Sequence, residues 1–363
     1  MAFWILAGLG GLLLVLTLLP LSRHEAWWVR GLDFPRLQLA ALALALLAAQ
    51  AALLDRGRPE SWMVMAVTLG CLAYQAWWIV PYTPLFPREV ASAEAEGDGD
   101  ALAVLAVNVL TPNRNADALL RLVRRERPDV LVAVETDRWW QDRLDALEPE
   151  YPFALKCPLD NLYGMHVYSR LPLEDARVQF LVEPDIPSMH AVARLGSGRR
   201  VRMHFVHPRP PSPTENPESS ERDAELVAVG KSAARSELPV VVTGDLNDVA
   251  WSATTRLFRK VSGLLDPRVG RGMYNTFHAR WPFLRWPLDH LFHSGDFTLA
   301  RLERLPDIGS DHFPILVRLV LSPEREAENG DAPEADADDR EWAREKERDE
   351  GVSDRDVHAP GGG

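Results

Sequence analysis

Two cysteines in 363 residues leave no disulfide framework, and neither hints at a compartment: Cys71 lies in an apolar segment and Cys157 stands alone. No block or stripe of basic residues exists, which argues against strong sequence-independent binding to nucleic acid. No internal repeat is visible, so the chain is not an array of like units. Charge is spread unevenly. Residues 1–100 carry 6 basic and 9 acidic side chains, residues 101–321 carry 28 of each, and residues 322–363 carry 6 basic and 15 acidic. The net charge of −12 is therefore mostly a property of the tail, and the central region is near neutral.

What the chain does have is three long apolar stretches near its start. Ala2–Leu21 is almost wholly apolar; Leu37–Leu54 carries only Gln38 and Gln50 as polar members; Trp62–Val80 ends in Trp77, Trp78, Pro81 and Tyr82, an aromatic group suited to the headgroup level. The first stretch has no basic flank before it and no small-x-small pattern ahead of Arg23, so it reads as a span and not as a cleaved leader. Residues 1–86 are thus expected to form a membrane anchor with spans at about 2–21, 37–54 and 62–80. Arg23, Arg30, Arg36 and Arg88 lie on one side and Arg56 and Arg58 on the other. The positive-inside rule then puts the first connector and the region after the third span in the cytoplasm, for a multi-pass protein of the cell (inner) membrane.

Residues 87–100 read as an acidic linker. From Ala101 to Leu321 short strand-like runs alternate with helical segments. Helices are expected over Asn115–Arg127 (stopped by Pro128), Ser219–Arg235 and Ser252–Val261. Strands are expected over Ala101–Val109, Val130–Val134, Met165–Ser169, Ala191–Leu195, Val201–Val206, Val240–Thr243, Leu288–Phe292, Phe297–Leu302 and Phe313–Leu319. Several strands follow one another directly, which favours a mixed sheet over a purely parallel one. Pro208–Ser220 holds five prolines and cannot be regular. Residues 322–363, rich in Glu, Asp, Ala and Arg, read as a disordered or transiently helical acidic tail.

Polar residues collect where the strand-like runs end. Asn108, Glu135, His207 and the pair Asp245 and Asn247 each sit at or just past such an end; Asp289 and Asp311-His312 flank the last apolar runs. Strand ends hold side chains in fixed mutual geometry, and i, i+2 residues such as Asp245 and Asn247 face the same side. Asp289 sits in an apolar run, where a charge is costly unless paired or functional. Carboxylates, amides and imidazoles delivered this way suit a hard divalent cation and a phosphate ester.

These residues resemble the endonuclease/exonuclease/phosphatase superfamily, in Val107-Asn108, Val134-Glu135, His207-Pro208, Gly244-Asp-Leu-Asn-Asp248, Asn275-Thr-Phe277, Leu288-Asp-His-Leu-Phe292 and Ser310-Asp-His312. The resemblance implies a four-layer α/β sandwich: two mixed sheets face to face with helices outside. It implies a Mg²⁺ or Mn²⁺ ion held by Glu135 with Asn108 and Asp311. It also implies Asp245 as the group that orients or deprotonates water, Asn247 and His312 as donors to the phosphate, Asp289 as the orienting partner of His312, and His207 near the leaving group. Asn108, Asn247 and His207 would also touch substrate. Val134 stands where many members have Gln.

The sequence reading is therefore a membrane-anchored, metal-dependent phosphoesterase attacking its ester in line with water. Nuclease-type phosphodiester hydrolysis is the first expectation. A phospholipid or inositol-phosphate esterase of the sphingomyelinase or 5-phosphatase kind is the alternative, and a non-catalytic membrane scaffold comes third. The partners expected are the phosphate-ester substrate, nucleic acid or lipid, and the bilayer; no protein partner is inferable. The aromatic and basic stretch Phe277–Trp286 falls between two motif pieces and should flank the site.

Overall fold

The computed structural model describes residues 1–94 and 100–361. Eleven strands are found among them: β1 Ala101–Asn108, β2 Val130–Val134, β3 Phe153–Cys157, β4 Met165–Ser169, β5 Leu173–Gln179, β6 Ser188–Arg194, β7 Arg200–Phe205, β8 Val240–Asp245, β9 Asp289–His293, β10 Phe297–Arg304 and β11 Ile315–Leu321. They form two mixed sheets, ordered β10-β11-β1-β2-β4-β3 and β5-β6-β7-β8-β9. The α-helices are α1 Ala2–Leu18, α2 Trp27–Arg30, α3 Arg36–Leu53, α4 Pro59–Ile79, α5 Ala116–Glu126, α6 Arg138–Leu144, α7 Ser220–Ala234, α8 Ala253–Ser262 and α9 Ala337–Glu350.

Alternation along the strands builds the sandwich. Leu102, Val104 and Ala106 of β1 and Val130, Val132 and Val134 of β2 face inward, against Met203, Phe205 and Val241 of the second sheet. The intervening Leu105, Val107, Leu131 and Ala133 face out and are covered by Leu119 and Val123 of α5 and Trp140 of α6. On the other outer face, Val240, Val242 and Phe292 pack under α7 and α8. This is the expected α/β sandwich. The two strands the sequence did not announce, β3 and β5, are sheet edges. Edge strands are half solvated and need no apolar alternation, so Glu174, Asp175 and Arg177 can sit in β5.

The three N-terminal helices Ala2–Ser22, Arg36–Leu53 and Pro59–Tyr82 are long and apolar enough to cross a membrane, and only 22% of each is buried. They pack on one another through Leu13, Leu39, Ala43 and Cys71, with interhelical bonds from Gln50 to Thr68 (2.9 Å) and Gln75 to Thr17 (3.2 Å). Trp4, Leu42, Met63 and Trp77 point outward. The first connector and the end of α4 both meet the sandwich: Trp27 N donates to Pro217 O (2.8 Å), and the Tyr82 hydroxyl to Ala250 O (2.6 Å).

Two expectations need correction. The linker over 87–100 lies partly outside the described residues, yet the described part is docked and not free. Glu89 is bonded to Arg259 and accepts from Asp266 N (2.8 Å), Val90 is fully buried, and Ala93 N donates to Leu299 O (2.9 Å). The tail, expected to lack fixed structure, forms α9, opened by a capping box of Asp336 and Asp339. Composition misled because a few residues decide: Trp342 and Ala343 pack on Val227 and Leu257, Lys231 pairs with Glu347 (2.6 Å), and buried Lys346 pairs with Asp223 (3.0 Å) and Glu25. Replacing Trp342 by Ala should therefore cost about 3 kcal/mol of stability, as buried aromatic truncations do. An unchanged thermal midpoint in detergent would mean that the tail does not dock.

Glu225, on the buried face of α7, has an Oε1 with no partner. Burial first, and then the nearby Glu183, push its carboxyl up to about 8. A raised carboxyl pKa means that the folded state holds its proton more tightly than the unfolded chain. Its stability contribution is present at low pH and lost as pH rises through the folded value. Glu225→Gln, which is always neutral, should raise the melting temperature by several degrees near pH ~8 and hardly at all near pH ~5.

Candidate functional site

The register of two strand pairs assembles the site. β1 and β2 run parallel with Asn108 opposite Val134, so Glu135 emerges beside Asn108. β8 and β9 run antiparallel with Asp245 opposite Asp289. Asn108 Nδ2 donates to Glu135 Oε1 (2.6 Å) and to Asp245 Oδ2 (3.1 Å), linking a carboxylate from each sheet. Two turns carry the left-handed backbone that non-glycine residues seldom adopt, Glu135 at φ 61° and Asn247 at φ 52°. Gly244 sits at φ 146°, where an added Cβ would lie 1.9 Å from Val206 O, so only glycine lets β7 and β8 come this close ahead of Asp245.

His312 closes the group. Its Nδ1 is 2.8 Å from Asp289 Oδ2 and 3.5 Å from Asp245 Oδ2. Its backbone N–H donates to Ser310 Oγ (3.1 Å), which in turn donates to Asn108 O (2.8 Å). Thr276 Oγ1 accepts from the N–H groups of Leu288 and Asp289 (both 3.3 Å). Asn247 Nδ2 donates to Pro208 O (2.9 Å), and Arg222 Nη1 to Asn247 O (2.8 Å). Glu135, His207, Asn247, Asp311 and His312 line one cavity of about 340 Å³. Asn108, Asp245 and Asp289 lie directly behind them, so all eight residues singled out from the sequence meet in one place. His290, next to Asp289 on β9, faces the other way onto Arg268 (2.6 Å) and Asp248 O (2.9 Å), as strand alternation requires.

The electrostatics divide the residues into two kinds. Burial disfavours a charged His312, yet the carboxylates of Asp289 and Asp245, and more weakly Asp311, push its imidazole up to about 10, so it is a cation at neutral pH. Burial lowers His207 to about 4, leaving it neutral with an unpartnered Nδ1. Burial pushes Glu135 up to about 7, against the Asn108 hydrogen bond and the His312 charge and with help from Asp311 and Asp245. Glu135 Oε2 is buried and has no hydrogen-bond partner. An orphaned carboxylate oxygen within electrostatic reach of Asp311 and Asp245 is the setting a hard divalent cation fits, because the ion supplies the missing positive charge. Asp245, Asp289 and His312 also bring ligand atoms within 4.8 Å of one another. That trio is better matched to proton handling, since a protonated imidazole has no lone pair to give a metal.

Sequence reasoning missed several neighbours. Tyr163, whose ring lies 5.3 Å from that of His207 and whose hydroxyl bonds Glu215, lines the cavity, as does Glu215 itself. Phe34, from the connector between the first two apolar helices, is also part of the wall. Nothing in their local sequence marks them; their proximity is a tertiary fact. Arg222 was hidden inside an ordinary helical pattern.

Residues 105–312 match the profile of the Endonuclease/Exonuclease/phosphatase family. This is more than half of the chain, and the chain belongs to that family. Members of the family are phosphate-ester hydrolases that use divalent metal ions. Among solved structures, the chain is similar to D. rerio TDP2 complexed with a single-strand DNA product (TM-score 0.50, 16% identity, 60% of this chain and 98% of that one). It is also similar to the human Nocturnin catalytic domain (0.49, 14%, 61% and 94%) and to an endonuclease/exonuclease/phosphatase from Beutenbergia cavernae (0.49, 18%, 61% and 72%). At such identity the TDP2 likeness speaks to fold alone. No curated protein gives a significant match.

If the Asp289 carboxylate is what holds His312 charged, Asp289→Asn should return its imidazole toward the ordinary histidine range. Titration of the ¹⁵N-labelled imidazole signals would read this, and an unmoved titration point would show that the pairing is unimportant.

Proposed function

We propose that the chain is a membrane-anchored phosphoesterase dependent on a divalent cation, with residues 1–86 as anchor and residues 101–321 as the catalytic unit. The observation that carries this reading is the convergence of an orphaned carboxylate oxygen on Glu135 with a carboxylate-held imidazole on His312 in one cavity. Glu135 and Asp311, with the Asn108 amide beside them, would hold Mg²⁺ or Mn²⁺. When bound, that ion supplies Lewis acidity and charge neutralisation at the phosphate and the departing oxygen.

The chain's own residues do the rest. Asp245 is fixed by Asn108 on one oxygen and by Asn247 N (3.0 Å) on the other, which aims it for taking a proton from an attacking water. His312, held through Nδ1 by Asp289, presents Nε2–H to a phosphate oxygen and offsets its growing charge in the transition state. Asn247 spends one amide hydrogen on Pro208 O and keeps the other for the phosphate. His207, neutral and buried, stands as the hydrogen-bonding partner of the leaving group. A non-catalytic scaffold has no use for the buried charges that this arrangement maintains.

Purified full-length protein should hydrolyse a simple water-soluble phosphodiester with Mg²⁺ or Mn²⁺ and lose that activity with a chelator. Glu135→Ala should lower kcat/KM by roughly 10²–10⁴-fold, the several kcal/mol a positioned ion contributes, with little change in melting temperature. Wild-type rates in the variant across a Mg²⁺ titration would sink the assignment.

A further inference from the structure

The stretch Phe277–Trp286 folds into a short hairpin beside the cavity: Phe277 N donates to Trp286 O (3.0 Å) and His278 N to Leu284 O (3.1 Å). Its tip presents Trp281, Phe283 and Leu284 at 61%, 88% and 50% exposure. Leaving such side chains in water forgoes about 1.5–3 kcal/mol each. Large apolar groups clustered at one tip mark an interaction surface.

Its position says with what. Gln38, in the first turn of α3, donates from Nε2 to Phe283 O (2.7 Å). α3 is one of the helices long and apolar enough to cross a membrane, and this is its sandwich-side end. The tip therefore sits at the depth where that helix enters an apolar phase. Arg280 and Arg285 flank the tip in the chain, Arg285 over the Phe313 ring (5.0 Å), which suits the headgroup level. From the tip the apolar surface continues inward. Trp286 packs edge-on against Phe34 (5.6 Å) and stacks on Phe277 (6.3 Å), and both Phe34 and Phe277 line the cavity that holds Glu135 and His312.

The cavity's lining rules on the class of ester. Among its described lining residues none is Lys or Arg, and Glu215 adds negative charge. A polynucleotide brings further phosphates on either side of the scissile one, and those require cations along the track. An amphiphile brings one phosphate with apolar chains, which is what an apolar approach and a single charged pocket accommodate.

We propose that the substrate is a bilayer lipid, whose phosphate enters the cavity sideways past the tip at residues 281–284 while its acyl chains stay in the membrane. This deepens, and rests on, the phosphoesterase reading above. Phe34 and the hairpin are then specificity-determining positions, and the membrane itself closes the remaining side of the pocket.

The test uses full-length protein reconstituted in vesicles of phosphatidylethanolamine, phosphatidylglycerol, a phosphoinositide and sphingomyelin. Phosphate-ester release from each lipid is followed beside hydrolysis of bis(p-nitrophenyl) phosphate and of a single-stranded oligonucleotide, with Mg²⁺ and Mn²⁺. The expected result is lipid turnover, and a lipid-to-soluble-diester rate ratio that falls at least about tenfold in the Trp281→Glu, Phe283→Glu double variant, the loss of ~1.4 kcal/mol or more of lipid-specific binding. Brominated acyl chains should quench the wild type more than Trp281→Phe. An unchanged ratio, no Trp281-dependent quenching, or turnover of the oligonucleotide but of no lipid would each overturn the lipid assignment and leave the phosphoesterase reading standing. Failure of the wild type on every ester would instead sink that reading, and this one with it.

Discussion

One primary amide joins the two halves of the sandwich. Asn108, at the end of β1, donates to Glu135 from its own sheet and to Asp245 from the other, and its backbone carbonyl receives the Ser310 hydroxyl that positions His312. Two buried carboxylates at this range repel each other, and an amide that offers a hydrogen to each lets them share the space. Everything else at the site is arranged around that bridge. The inward-facing residues of both sheets fix the distance it spans, and the left-handed turns at Glu135 and Asn247 aim the side chains it holds.

Much of this was legible in the chain, for identifiable reasons. Unbroken apolar runs in Ala101–Val107, Val130–Val134 and Val240–Val242 mark central strands. Polar residues at their ends stand out because burial there is unaffordable without a role. The gathering of Asn108, Glu135, His207, Asp245, Asn247, Asp289, Asp311 and His312 followed from that pattern and from the family resemblance. The edge strands β3 and β5 escaped notice because solvent relaxes their composition. The tail escaped because its anchors, Trp342 and Lys346, are two residues in a field of charge. Phe34 and Tyr163 could not be found at all, since their place in the wall depends on how segments far apart in the chain meet.

A second layer of buried charge connects the turn after β8 to the connector between the first two apolar helices. Arg222 contacts Asp223 (2.8 Å), Asp248 (3.3 Å) and the carbonyl of Asn247. Asp223 is held well below the usual carboxylate range: burial opposes its charge, but Lys346 and Arg222 outweigh it. Trp251 Nε1 donates to Asp33 O (2.9 Å), which ties the turn after Asp248 to the first connector. Such buried pairs contribute little net stability against apolar replacements, but losing one partner leaves an uncompensated charge and is costly. The network thus makes the turn after β8, the connector and the tail interdependent.

The pairing of Glu25 with Lys346 spans 321 positions. At ordinary rates of chain elongation, on the order of tens of seconds separate the synthesis of its two ends. Glu25 is made before the second and third apolar helices, whereas Lys346 is made after every strand of both sheets. The connector that carries Glu25 therefore waits unpaired until the sandwich has a closing helix to offer. The bond that ties down the connector carrying Phe34 can thus form only after both sheets have been made.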